Sequence, residues 1–261
     1  MKQRVTTAVI ALIIFIPVIV YGGWLIDIAG IVLGLIAVNE VLMMKKLLLV
    51  SPEAIIADIG VFSLIAPLSW FGWLPPQIDR VFVFFLCVLA LLIRTVVSRN
   101  RFSFDDAGAV TLAMLYIGFG FYYFIAARGV GLSMLLYILF VIWSTDSGAY
   151  MIGKRFGKNK LAPHISPNKT WEGSIGGTVV ATIIGSVFLI FYPTQYNFIL
   201  MVLLTLIFSI TGQFGDLVES ALKRYFSVKD SGNILPGHGG ILDRFDSMLL
   251  VLPIIHLFGL I

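Results

Sequence analysis

The feature that most constrains this chain is a succession of nine long apolar segments, at residues 5–21, 24–43, 54–73, 78–98, 108–126, 130–152, 173–192, 196–215 and 245–261. Each has roughly the 20 residues that a helix needs to cross about 30 Å of hydrocarbon. Little of the 261 residues remains for a soluble domain. Apolar types make up 59% of the chain and charged types 12%, and the mean hydropathy is +1.00. A soluble domain is nearer half apolar and a quarter charged, so the bilayer must be the solvent for much of this chain. Backbone polar groups in lipid must be satisfied within the segment, which leaves helices. The predicted fold is all-α: a polytopic integral membrane bundle of about nine transmembrane helices.

Charge sets the expected orientation. With the N-terminus in the cytoplasm, nine spans place 16 of the 18 Lys and Arg residues on the cytoplasmic side, leaving only Arg80 and Arg128 outside. An eight- or ten-span arrangement scrambles this bias. The N-terminal apolar run is long and lacks an Ala-x-Ala cleavage site, so a retained first span is expected and not a removed signal peptide. A net charge of +4 is too small to indicate nucleic-acid binding. The single Cys87 excludes an intrachain disulfide framework and a Cys-rich metal site, and reads as a small packed residue. There is no internal repeat and no low-complexity tract. The natural division is residues 1–128, holding spans one to five, and 129–261, a catalytic region. The two longest connections, 153–172 and 216–244, fall in the latter on the cytoplasmic side.

The densest polar run lies between Gly215 and Asp246. If the eighth helix continues to about Phe226, then Asp216, Glu219 or Ser220, and Lys223 share one face. Asp243 and Asp246, three apart, share a face of the ninth helix. Consecutive helices are commonly neighbours, so three carboxylates can converge at one point. Convergent carboxylates call for a divalent cation or a basic partner, and a hard oxygen site open to phosphate oxygens suits Mg²⁺. The alternative is that each Asp sits at the interface paired with Lys223, Arg224 or Arg244. Between the helices, Gly237, Gly239 and Gly240 allow tight turns and close approach to a ligand. Their exposed amides can cradle phosphate. His238 has two roles open to it, hydrogen bonding to phosphate or proton transfer.

A second polar stretch runs through Trp143-Ser-Thr-Asp146-Ser-Gly148 and on to Ser166-Pro-Asn-Lys169-Thr170-Trp171-Glu172-Gly173. Asp146 is costly at membrane depth unless paired or functional. Lys169 and Thr170 just before a helix offer a charge, a hydroxyl and free amides to a phosphate. The same segment also reads as a helix cap with an aromatic interface anchor. Asn39 and Glu40 can pair with Lys45 or with another span. Asp27 and Asp58 read as solvated residues. His256 reads as packed or helix-bonded.

The run from Ser220 through Lys223-Arg224, Lys229-Asp230-Ser-Gly232 and Pro236-Gly-His238-Gly239-Gly240 to Asp243-Arg244-Phe-Asp246 closely resembles the signature of the phosphatidate cytidylyltransferases, the CDP-diacylglycerol synthases. STDSGAYMIGKRFGK and SPNKTWEG resemble the same family, and the likeness is strong over about 140–246. It implies a Mg²⁺-dependent enzyme that joins CTP to phosphatidic acid, giving CDP-diacylglycerol and pyrophosphate. By that resemblance Asp216, Asp243 and Asp246 are expected at the metal. Lys223, Arg224, Lys229 and Arg244 are candidates for phosphates, and Lys169 and Thr170 for CTP. Asp146 is expected to support the site or a second cation. Ser166, Ser220, Asp230, Gly239 and Gly240 complete the expected substrate-binding set, with His238 in the catalytic one. The expected partners are CTP, phosphatidic acid and membrane lipids, with a homodimer left open and nucleic acid excluded. The expected location is the bacterial inner membrane, with the site facing the cytoplasm. The rivals are a CTP-dependent polyprenol kinase, a transporter for an anion or metal, and a membrane scaffold.

Overall fold

A computed structural model describes residues 2–75 and 77–261. Met1, Pro76 and the side chains of residues 2–5, including the Lys2 and Arg4 charges in the count above, lie outside the description. Nine α-helices occur among the described residues, in agreement with the nine predicted segments: α1 (Lys2–Tyr21), α2 (Trp24–Met44), α3 (Pro52–Ile65), α4 (Arg80–Val97), α5 (Phe104–Val130), α6 (Leu132–Phe156), α7 (Trp171–Phe191), α8 (Phe198–Tyr225) and α9 (Leu242–Leu257). Six of them, α2 and α4 to α8, are long and apolar enough to cross a membrane. The third segment is shorter than expected. The backbone turns extended at Ala66, ahead of Pro67, because a residue before proline is pushed out of the helical region. At 14 residues, α3 is only about 21 Å long.

The chain divides into two compact units, Met1–Ala126 with Val228–Arg244, and Ala127–Ser227 with Phe245–Ile261. The segment 228–244, expected with the C-terminal region, thus belongs to the first unit. In that unit α3 starts on a capped turn: Ser51 Oγ accepts from the Ala54 amide at 3.2 Å with Pro52 in the first turn. Asp79 caps α4 through the Phe82 amide at 2.7 Å. Of α4 only Cys87 and Leu91 are buried, while Val81, Phe85, Ile93, Val96 and Val97 face outward. A helix apolar on its exposed face needs an apolar surrounding, as the integral-membrane reading requires. Asp58 is not simply solvated: its Oδ1 accepts from Asn39 Nδ2 at 2.7 Å. Lys45 pairs with Asp106 and not with Glu40. Arg94 Nε donates to Glu53 at 2.6 Å.

In the second unit the connection 153–172 contains a short antiparallel hairpin, β1 (Lys160–Ala162) and β2 (Ser166–Thr170), with Lys160 opposite Thr170 and Ala162 opposite Ser166. It holds the only strands among the described residues, of an otherwise helical chain. Helices α6 and α7 touch backbone to backbone. A Cβ on Gly173 would lie 2.7 Å from the Ala149 carbonyl, and one on Gly177 2.6 Å from that of Thr145. Small residues permit such contact where lipid supplies no hydrophobic drive between helices. Hydroxyl and amide groups tie the same helices to α8: Thr145 Oγ1 and Ser209 Oγ lie 2.8 Å apart, and Gln213 Nε2 donates to Thr178 Oγ1 at 2.9 Å.

Candidate active site

The second unit carries a cleft of about 460 Å³, walled by Asp146 and Lys154 of α6, Lys169 and Thr170 at the end of the hairpin, and Gln213 and Asp216 of α8. Each wall has a local cause. The glycine seam brings the end of α6 against the start of α7. Thr170 is the N-cap of α7, its Oγ1 accepting from the Gly173 amide at 3.1 Å, so the capping reading of this segment holds. Glu172 accepts from the amides of Lys158 and Asn159 and folds the hairpin back. Arg224 Nε donates to the Ile165 carbonyl at 3.2 Å, which pins the hairpin to α8.

Helix α8 runs to Tyr225, so Asp216, Ser220 and Lys223 share a face as expected. Ser220 Oγ donates to Asp216 Oδ1 at 3.2 Å, and Lys169 Nζ lies 2.5 Å from Asp216 Oδ2. Both oxygens of Asp216 are thus engaged, one by a residue 47 positions away in sequence. Lys223 instead pairs with the buried Glu219. Asp246 Oδ1 accepts from the Ser247 amide at 2.7 Å. The carboxyl of Asp246 also lies within electrostatic reach of Asp216 and, more weakly, Asp146 and Lys223. The backbone of α9 at Asp246 and Ser247 presses directly on Gly215 of α8.

The loop of the first unit is built separately. Gly237 and Gly239 take φ of 77° and 83°, conformations that side chains with a Cβ rarely adopt. They close a tight turn in which the His238 amide donates to Leu235 O at 2.8 Å and Leu235 N to Gly239 O at 3.0 Å. Arg244 grips the His238 carbonyl through Nε at 3.0 Å and Nη2 at 2.6 Å. Asp243 Oδ2 accepts from the Ser231 amide at 2.8 Å and the Gly240 amide at 2.8 Å, and lies 2.9 Å from Ser231 Oγ. His238 Nδ1 is buried and lacks a hydrogen-bond partner among the described residues. Lys229 and Asp230 are exposed. Ser166, in β2, is half-buried.

A family model described as the cytidylyltransferase family matches residues 2–261. The chain belongs to the cytidylyltransferase family. This cytidylyltransferase is 46% identical over 259 residues to the phosphatidate cytidylyltransferase of Bacillus subtilis (strain 168), covering 98% of this chain and 96% of that one. It is 46% identical over 258 residues to that of Staphylococcus haemolyticus (strain JCSC1435), 98% of each chain. It is 44% identical over 257 residues to that of Staphylococcus aureus (strain COL), again 98% of each.

Among the described residues of this cytidylyltransferase, no three or more His, Cys, Asp and Glu side chains form a ready metal-binding group. Asp243 Oδ2 is engaged by its own loop in the first unit, while Asp216 and Asp246 belong to the second. The donors of the second unit still fit Mg²⁺. That ion is commonly held by one or two carboxylates plus phosphate oxygens and water, and Asp216 and Asp246 are two carboxylates that feel each other's charge. Two residues escaped the sequence reading as members of these sites. Gln213 lines the cleft, and its signal was a polar side chain one turn before Asp216. Glu40 was seen only as a residue to be paired, and its partners lie about 200 positions away.

Proposed function

We infer that this chain transfers the cytidylyl group of CTP to phosphatidic acid, releasing pyrophosphate and leaving CDP-diacylglycerol. The observation that carries this reading is the cleft in which Lys169 and Asp216 meet, beside Thr170 at the start of α7. It supplies a cation and a hydroxyl for phosphate oxygens next to carboxylates. The family membership and the relatives' names agree with it.

In the reaction a phosphate oxygen of the lipid attacks the α-phosphorus of CTP. The new O–P bond forms as the bond to the β-phosphate oxygen breaks, and pyrophosphate departs with its electron pair. The lipid phosphate is already ionised, so no general base is required. Charge on the transferring group and on pyrophosphate must be met by fixed positive groups. We assign Lys169, Thr170 and Ser166 to the CTP phosphates, and Lys223 and Arg224, about two turns beyond Asp216, to the lipid phosphate. Lys229, Asp230, Gly239, Gly240 and Arg244 are assigned to substrate contacts from the loop, with His238 a hydrogen-bond partner for phosphate. Asp216 and Asp246 would hold Mg²⁺, with Asp146 supporting them or a second cation. When bound, the ion supplies Lewis-acid stabilisation of phosphoryl oxygens. Asp243 is assigned to the loop's shape. The helices are proposed to span the bacterial inner membrane, nine in number with the N-terminus and the cleft on the cytoplasmic side, where CTP resides.

The test uses purified protein in detergent with labelled CTP, phosphatidic acid and MgCl₂, followed by thin-layer analysis of lipids and measurement of pyrophosphate. CDP-diacylglycerol that appears with Mg²⁺ and vanishes with EDTA is the expected result. Phosphorylation of an added polyprenol in place of that product would overturn the assignment in favour of a lipid kinase.

A further inference from the structure

Glu40 is a carboxylate with 1% of its surface exposed, near the end of α2. Among the described residues it has no Lys or Arg ion-pair partner. An isolated buried carboxylate is strongly unfavourable unless several donors satisfy it. Three do. Glu40 Oε1 accepts from the Ile241 amide at 2.7 Å, and Oε2 from the Leu242 amide and from Ser231 Oγ, each at 2.9 Å. Ile241 and Leu242 are where α9 begins, so a side chain some 200 residues upstream satisfies amides that the helix start leaves open. The fit around this carboxylate is close. A Cβ on Gly240 would sit 2.4 Å from Glu40 Cδ, and one on Gly232 2.7 Å from Oε1. Ser231 Oγ also lies 2.9 Å from Asp243 Oδ2, so Glu40, Ser231 and Asp243 hold the two ends of the 231–242 loop together.

We propose that Glu40 is a positioning residue for cytidylyl transfer: it clamps the 231–242 loop in the shape that presents His238 and the Gly239–Gly240 turn to substrate phosphates. The N-terminal helices would then have a defined part in the reaction, because α2 supplies the post on which the loop is fastened. Without the carboxylate the glycine-rich loop samples many shapes, and its phosphate contacts must be ordered at each turnover. Gln at this position keeps one oxygen acceptor and places an NH₂ where the second oxygen stood. It can donate to Ser231 Oγ but confronts the Leu242 N–H, so it restores part of the clamp. Ala restores none.

The experiment has two arms in the full-length protein in detergent. In the first, hydrogen exchange by mass spectrometry follows peptides covering 231–242 in wild type, Glu40→Gln, Glu40→Ala and Ser231→Ala. Selective loss of protection there, largest in Glu40→Ala and smaller in Glu40→Gln and Ser231→Ala, is expected while α6 to α8 remain protected. In the second, steady-state rates of CDP-diacylglycerol formation are measured. Glu40→Ala is expected to lose about 10-fold or more in kcat, the scale set by removing hydrogen bonds to a charged group. Glu40→Gln is expected to recover part of that loss, and the KM for CTP to change less than kcat. A Glu40→Ala protein with wild-type exchange in 231–242, or with wild-type kcat, overturns the proposal. If Glu40→Ala does not fold, the same two readouts on Ser231→Ala decide it: unchanged exchange and kcat together refute the clamp. The second arm rests on the cytidylyltransfer reading. Wild-type protein that forms no product would sink that reading, while the exchange arm would still judge the clamp.

Discussion

Replacing Gly215 by Ala tests whether the contact between α8 and α9 sets the reacting geometry. Gly215 directly precedes Asp216, and the α9 backbone that carries Asp246 lies against it. A Cβ there would stand 2.7 Å from the Asp246 carbonyl oxygen and 2.8 Å from Ser247 Cα. Ordinary contact begins near 3.4 Å, so the two helices are about 0.7 Å too close for a methyl group. The obstructing atoms are backbone, and no side-chain rotation relieves the overlap. The helices must part or tilt at the turn bearing both carboxylates. Overpacking of this kind costs about 1–3 kcal/mol, which leaves a folded protein with a lowered melting temperature. A displacement approaching 1 Å at the reacting groups costs on the order of 100-fold in rate. The assay is kcat/KM for CDP-diacylglycerol formation beside a thermal-shift measurement in the same detergent. Gly212→Ala is the control on the same interface, since its Cβ would meet only side-chain atoms, Val251 Cγ2 at 3.3 Å and Ser247 Cβ at 3.8 Å, and near-normal activity is expected. A Gly215→Ala enzyme within twofold of wild type would refute the claim that helix spacing at this turn sets the carboxylate geometry.

Asp216→Asn removes the charge opposite Lys169 and one of the two carboxylates assigned to Mg²⁺. A loss of about 100-fold or more in kcat is expected, and retained activity removes Asp216 from the mechanism. Lys169→Met should raise the KM for CTP by about 10-fold, as a charge-assisted phosphate contact is lost, with little change in the KM for phosphatidic acid; an unchanged KM for CTP would displace Lys169 from the nucleotide. Glu53→Gln weakens the 2.6 Å contact with Arg94 at a carboxylate whose side chain is 7% exposed. A destabilisation of about 1–3 kcal/mol is expected with kinetic constants unchanged, read by thermal denaturation in detergent.

Nine apolar runs were legible because a bilayer admits few backbone solutions, and hydropathy reports them directly. The face shared by Asp216, Ser220 and Lys223 was legible for a similar reason, since helical spacing alone brings such residues into line. The third segment was misjudged because Pro67 sits inside an apolar stretch that hydropathy reads as continuous, while its steric effect on Ala66 is purely local. The hairpin at 160–170 was missed because five residues of Ser, Pro, Asn, Lys and Thr carry no apolar alternation.

Composition and local pattern therefore determined by themselves that this is a helical, membrane-type chain with its chemistry in the polar connections around 146–172 and 216–246. The spaced signature pointed to the family. Only the tertiary structure decided which groups meet: Lys169 with Asp216, Asp243 with the loop it closes, Gln213 with the cleft wall, and Glu40 with the start of α9. Periodicity encodes which residues share a face of one helix. It holds nothing about partners 47 or 200 positions away, whose pairing follows from how closely glycine lets backbones approach and from the need of each buried charge to find donors.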